Sequence, residues 1–203
     1  MGKNIIDLNI TNFLNEVASV SPVPGGGSVA ALGGALAASL VSMVCRLTIG
    51  KKGYEAVEEE MKRILRKSEN FRKKLTLLVV EDAQSYRQVI KSYKSSNKES
   101  VEVSLKQATR VPLKTAVCSN DVSKLAHKVY QKGNRLALSD AKVASFLAKS
   151  SVKGALENVK INLPLIADNK FKKRTEEKIR SLNCSDYYLI WERQEKPGKG
   201  EKM

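Results

Sequence analysis

The sequence predicts an all-α protein, a bundle of long, mostly antiparallel helices, and three observations carry that prediction. Glycine and proline thin out after Gly53, leaving long stretches without a helix breaker. Apolar residues in those stretches recur at three- and four-residue intervals, the period of a helix with one buried face. No period-two alternation persists anywhere, so no strand is expected. With 203 residues, 42% of them hydrophobic, the chain can build a core and is expected to form a single domain over 1–203.

A first helix is expected over 10–20, capped near Thr11 or Asn12, with Phe13, Leu14, Val17 and Val20 on one side. Ser21-Pro22-Val23-Pro24-Gly25-Gly26-Gly27-Ser28 then breaks it, and Ser28 is the expected N-cap of a second helix over 29–49. That helix has no charge over 29–45. It is short for a membrane span of about 20 residues, and it is built largely of Ala, Gly and Ser. It therefore reads as the central helix of the bundle, where Gly34, Ala38 and Ser42 let a neighbouring backbone come close.

Gly50-Lys51-Lys52-Gly53 ends it. Leu75, Leu78, Val79, Tyr86, Val89 and Tyr93 then mark one long helix over 55–94, about 60 Å at 1.5 Å per residue. A turn at 95–98 leads to a fourth helix over 99–130, which Pro112 is expected to kink or split. Lys132-Gly133-Asn134 closes that element, and another helix covers 135–160. Pro164 marks the next boundary, a basic last helix runs over 168–191, and the polar tail from about 192 is expected to fray.

Composition excludes several kinds of chemistry. One histidine, His127, makes a His-rich metal site and a Ser-His-Asp triad poor expectations, and His127 itself reads as a surface residue. Cys45, Cys118 and Cys184 are far apart and odd in number, so neither a disulfide framework nor a zinc site can be written from them. No metal is expected. The first residues carry no sustained apolar run of the signal-peptide kind, and a cytoplasmic location is expected. The net charge of +15 leaves open a non-enzymatic basic helical protein that binds nucleic acid or an acidic partner. No nucleic-acid motif accompanies the charge, and aromatic residues do not interleave with it.

The informative residues are polar ones on apolar helix faces. Asp82 has Leu75 two turns and Leu78 one turn before it, and Tyr86 and Val89 one and two turns after it. Asp140 repeats the pattern with Leu136, Val143, Ala144 and Leu147. Asn158 and Asn162 are four apart and share a face with Ala155, Ile161 and Leu165. Burying a carboxylate is costly, so each Asp either answers a buried cation or helix end, or lines a polar cleft. The glycine run leads into a helix start, where free N–H groups can meet an anion or a carbonyl oxygen, or it is simply a tight turn. No GK[ST] follows, so it is not a P-loop.

As a set these residues resemble the cyclodeaminase/cyclohydrolase family acting on one-carbon derivatives of tetrahydrofolate. The matching pieces are Pro22-Val23-Pro24-Gly25-Gly26-Gly27-Ser28, Thr48-Ile49-Gly50-Lys51-Lys52-Gly53-Tyr54, and Glu81-Asp82-Ala83-Gln84-Ser85-Tyr86. Val111-Pro112-Leu113, Gly133-Asn134 followed by Ser139-Asp140, and Asn158-Val159-Lys160-Ile161-Asn162-Leu163 complete them, over about 8–180. The resemblance implies a homodimer with a folate cleft near the glycine turn. It implies Asp82 as the catalytic carboxylate, with Asp140 holding its geometry or sharing its proton. Pro24, Gly25, Gly26, Gly27, Ser28, Tyr86, Asn134, Asn158 and Asn162 would bind substrate. Lys51, Lys52 and Tyr54 would fall at the family's basic turn among the substrate-binding residues, with the glutamate tail drawn to Lys51 or Lys52.

The implied substrate is a tetrahydrofolate derivative, with no permanently bound cofactor. Two reactions fit: a methenyl-tetrahydrofolate cyclohydrolase, in which water opens the methenyl bridge to a formyl-folate, and a formimino-tetrahydrofolate cyclodeaminase, in which ring closure releases ammonia. Both pass through a tetrahedral carbon between nitrogens and need a group that moves protons. The chain has no room for a formiminotransferase domain, which tilts the expectation towards the cyclohydrolase.

Overall fold

The computed structural model describes residues 5–95 and 97–182, and six α-helices and no strand occur among them. The chain separates into two compact units, Met1–Ala167 and Asp168–Met203. The first contains α1 (Ile10–Val17), α2 (Gly26–Thr48), α3 (Glu58–Lys94), α4 (Lys98–Lys132) and α5 (Leu138–Asn162), with short 3-10 turns between several of them. The second contains α6 (Asn169–Arg180), capped by Asp168, whose carboxylate accepts from the Phe171 N–H at 3.0 Å. α6 ends at Arg180 with Ser181 as its C-cap, short of the expected end at 191; residues after 182, with the tail from 192, lie outside the described residues.

Local sequence accounts for most boundaries and for the departures from expectation. Asn9, not Thr11 or Asn12, caps α1, accepting from the Asn12 N–H at 2.8 Å. The helix stops at Val17, and Val20 lies beyond it in solvent. α2 starts three residues earlier than predicted: Gly25 is its N-cap and Gly26, Gly27 and Ser28 form its first turn. No side chain of its own caps it. α4 runs unbroken through Pro112. The missing Pro112 N–H would have bonded the Ala108 carbonyl, and Asn162 Nδ2 of α5 donates to that carbonyl instead at 3.1 Å.

α2 packs against α3, α4 and α5, which makes it the central helix. Helices of its length and apolarity can cross a membrane, but 61% of its most apolar stretch is buried inside the protein. Gly34 shows why its residues are small. A Cβ there would lie 2.5 Å from Ser119 Oγ, 3.0 Å from Ser151 Oγ and 3.1 Å from Leu75 Cδ2, so α3, α4 and α5 all close on this point. Ser151 Oγ donates to the Ala30 carbonyl at 2.6 Å, and the Ser119 hydroxyl lies 2.7 Å from Ser151 Oγ. Buried hydroxyls thus find partners and the contact stays saturated.

Unequal helix lengths create the site. α3 and α4 have 37 and 35 residues, α2 and α5 only 23 and 25. Contacts such as Ser42–Ser68 between α2 and α3, and Ala108–Asn162 between α4 and α5, fix an antiparallel register. The α3–α4 hairpin therefore runs on past the start of α2 and the end of α5, and a cleft forms at that step.

Candidate functional site

The cleft has a volume of about 270 Å³. Its rim is the turn before α2, with Pro22, Val23, Gly25, Gly26 and Gly27; α3 contributes Asp82, Ser85, Tyr86, Val89 and Tyr93. Leu105 and Ala108 of α4, then Asn158, Ile161, Asn162 and Leu165, close it. Asp82 is the only charged residue among these, in a chain of net charge +15. Tyr93, Leu105 and Leu165 also line an adjoining hollow with Lys98, Glu99, Val101, Glu102 and Ala167.

Asp82 is seated on the N-terminus of α2. Its Oδ2 accepts from Ser28 Oγ at 2.9 Å, and the Ser28 backbone N–H also bonds to the carboxylate. Those first-turn N–H groups have no partner within their own helix, so Asp82 caps α2 from another helix. A Cβ on Gly27 would stand 2.6 Å from Asp82 Cγ, and closer still to Oδ1. The carboxylate can reach the helix end only because residue 27 is glycine. Burial pushes the Asp82 carboxyl above the ordinary value of 3.8, and the hydrogen bonds from Ser28 pull against that shift. A half-buried carboxylate with its pKa raised and one face open to a cleft is suited to take and return a proton.

The two asparagines also meet at the cleft, with one amide hydrogen-bonded in each. Asn158 Nδ2 donates to the Gly154 carbonyl at 2.9 Å and lies 3.8 Å from the Cβ position of Gly26. Asn162 Nδ2 repairs the gap left by Pro112. Pro24, preceded by a cis peptide, is buried in the turn behind the rim. Ser28 is wholly buried, so it acts on Asp82 rather than on a ligand.

The remaining expected site residues lie at the other end of the bundle. Lys51 Nζ donates to Asn134 Oδ1 at 3.1 Å, and Asn134 Nδ2 donates to the Leu47 carbonyl at 2.9 Å. The Asn134 N–H reaches Thr48 Oγ1 at 2.9 Å, and the Arg135 N–H reaches the Tyr54 hydroxyl at 3.0 Å. These bonds latch the α2–α3 turn to the α4–α5 turn. Lys51, Lys52 and Tyr54 follow the C-terminus of α2, whose 23 residues span about 35 Å. Asp140 sits in the first turn of α5, eighteen residues or about 27 Å from Asn158 along that helix. Only part of the apolar stripe that suggested an inward carboxylate is covered there: Ala144 is buried and Leu147 packs on the core, but Leu136 is 86% and Val143 46% exposed. Asp140 and Asp82 do not converge within one chain.

Tyr93, Leu105, Ala108 and Leu165 supply cleft wall that the sequence did not assign to the site; the available signals were Tyr93, seven residues after Tyr86, and Leu165, on the face of Asn158 and Asn162. The Cys45 thiol, pushed up to about 12 by burial, is no nucleophile. Among the described residues no group of three or more His, Cys, Asp or Glu is placed to hold a metal. His127 is exposed, within 3.0 Å of Gln131 Nε2.

The formiminotransferase-cyclodeaminase family model matches residues 9–181. The chain is 39% identical over 182 residues to the methenyltetrahydrofolate cyclohydrolase of Methylorubrum extorquens, covering 85% of this chain and 86% of that protein. It is 34% identical over 189 residues to the formimidoyltransferase-cyclodeaminase of Rattus norvegicus, covering 89% of this chain but 35% of that protein. A crystal structure described as formiminotetrahydrofolate cyclodeaminase from Thermotoga maritima superposes with a TM-score of 0.84 at 35% identity, over 87% of this chain and 88% of that one.

Proposed function

The chain belongs to the formiminotransferase-cyclodeaminase family, and we propose that it acts as a methenyl-tetrahydrofolate cyclohydrolase, with a tetrahydrofolate derivative as substrate and no permanently bound cofactor. The observation that carries this reading is the lone carboxylate of Asp82, held on a helix end in an otherwise uncharged cleft. A methenyl bridge is an amidinium cation, which such a site attracts and a basic cleft would repel. Water adds to the bridge carbon while Asp82 takes one of its protons, leaving a neutral hydroxyl adduct. Asp82 returns that proton to the departing nitrogen as the C–N bond breaks, and the hydroxyl proton leaves as the formyl C=O forms. Tyr86 and Tyr93, with Leu105 and Leu165, offer a flat apolar wall for the aromatic parts of the substrate. The similarity to the cyclohydrolase over most of both chains supports this reaction over its alternative.

The alternative is formimino-tetrahydrofolate cyclodeaminase, favoured by the Thermotoga maritima structure, which is matched over nearly its whole length. The same carboxylate would serve by moving protons to and from the formimino nitrogens. Supplying each substrate separately, with absorbance and ammonia release followed in parallel, tests the choice. Loss of methenyl absorbance without ammonia is expected; ammonia from the formimino substrate alone transfers the assignment to the cyclodeaminase. Turnover of neither, together with a salt-dependent gel shift, would overturn both in favour of a basic binding protein.

A homodimer is part of the proposal. α2 and α5 pack side by side, and Leu36, Leu47, Val143 and Phe146 on these helices stay 46–65% exposed. Apolar side chains of this size on neighbouring helices are suited to a second copy. Light scattering in solution tests it, and a monomeric mass would contradict it.

A further inference from the structure

Ser28 stands between two acceptors and owns one hydrogen. Its Oγ lies 2.9 Å from Asp82 Oδ2 and 3.0 Å from the Val79 carbonyl, one turn earlier on α3. An ionised carboxylate is the stronger acceptor, and on protonation it falls to the strength of an ordinary carbonyl. We propose that Ser28 is a positioning residue for Asp82, giving its hydrogen to Oδ2 while the carboxylate is charged and turning it to the Val79 carbonyl once Asp82 has taken a proton. The hydroxyl is never left without an acceptor, so Asp82 changes protonation state without moving. No heavy-atom bond forms or breaks, and the proton count changes only at Asp82.

The surroundings leave this role to Ser28. α2, α4 and α5 bring no charged side chain to the cleft, and α3 adds only the phenols of Tyr86 and Tyr93. The Ser28 hydroxyl, together with the Ser28 backbone N–H, opposes the burial that raises the Asp82 pKa. Ser28 is wholly buried, so removing its oxygen does not remove a ligand contact.

This inference rests on the catalytic role of Asp82, and the test separates the two. In Ser28→Ala the acid limb of the kcat/KM profile is expected to move up by about one pH unit. The KM for methenyl-tetrahydrofolate at the alkaline plateau should stay within about twofold of wild type, because Ser28 sets a proton affinity and not binding. A 13C NMR titration of the Asp82 carboxyl in the intact protein should move the same way, a readout that needs no turnover. An unchanged Asp82 titration in folded Ser28→Ala overturns the proposal even if Asp82→Asn is inactive. If Asp82→Asn keeps its turnover, the functional reading fails, and the titration alone then decides whether Ser28 acts on Asp82.

Discussion

Placing a methyl group on Gly27 tests whether the seat of Asp82, and not only its presence, matters. The new Cβ would lie 2.6 Å from Asp82 Cγ and 2.8 Å from Oδ2, closer than real Cβ contacts come. The helix backbone cannot yield as easily as a two-bond side chain, so the carboxylate has to swing away from Ser28. Stability changes little by this route. Hydrogen bonds to a charged group, worth roughly 1.5–3 kcal/mol, are lost, but the freed carboxylate regains water and alanine gains about 1 kcal/mol over glycine inside a helix. A net loss of at most about 2 kcal/mol is expected by thermal unfolding. Turnover suffers far more, because displacing a reacting group by about 1 Å can cost 10²-fold. Gly33→Ala is the control: it sits on the same helix, and its Cβ would meet only Ser151 Cβ at 3.9 Å. The assay is decay of methenyl-tetrahydrofolate absorbance in both variants. Gly27→Ala turning over within about threefold of Gly33→Ala would refute the idea that the α2 terminus holds the working carboxylate.

Three further outcomes follow from the same contacts. Asn162→Ala leaves the Ala108 carbonyl without its donor and should cost about 1–3 kcal/mol in denaturant unfolding. In a Pro112→Ala background, where a backbone N–H can return to that carbonyl, the cost should fall below about 1 kcal/mol, and an unchanged cost would contradict the pairing. Asn134→Ala should destabilise by about 2–3 kcal/mol through loss of the latch to Leu47, Lys51 and Leu136, while kcat stays near wild type; a large rise in KM instead would place Asn134 at the substrate. Because burial raises the Asp82 pKa, ionising it costs stability: the cost is absent below the ordinary value of 3.8 and develops as pH rises through the folded-state pKa above it. The melting temperature of Asp82→Asn should therefore gain on wild type as pH rises across that window, and a difference that shrinks with pH would show the shift has the opposite sign.

Periodicity exposed the long helices α3 and α4 because each has a buried stripe and almost no glycine or proline inside it, whereas α2 stood out by its uncharged run of small residues. The same periodic signal marked both Asp82, which lines the cleft, and Asp140, which lies in the first turn of α5 away from it. A stripe of leucines and valines shows that a face is apolar, not what covers it; Leu78 and Val79 near Asp82 are buried, whereas Leu136 and Val143 near Asp140 face outwards. Pro112 was expected to kink α4 because the donor that replaces its N–H sits fifty residues away on another helix. Gly25 displaced Ser28 as the N-cap for a similar reason: Asp82, remote in sequence, supplies the cap and draws the Ser28 hydroxyl to itself. Lys51, Tyr54 and Asn134 form a turn-to-turn latch whose residue types look the same on paper as a basic binding loop. The family resemblance joined the motifs into one site, but in a single chain the antiparallel bundle sends them to two ends.

Single-turnover decay of methenyl-tetrahydrofolate with Asp82→Asn, alongside direct measurement of substrate binding by the same variant, bears most directly on the proposed chemistry. The amide keeps the shape of the side chain but cannot take a proton. Binding should survive while the rate of bridge opening falls by about 10²-fold or more. A bridge that opens at nearly the wild-type rate in that variant would show that the proton goes elsewhere.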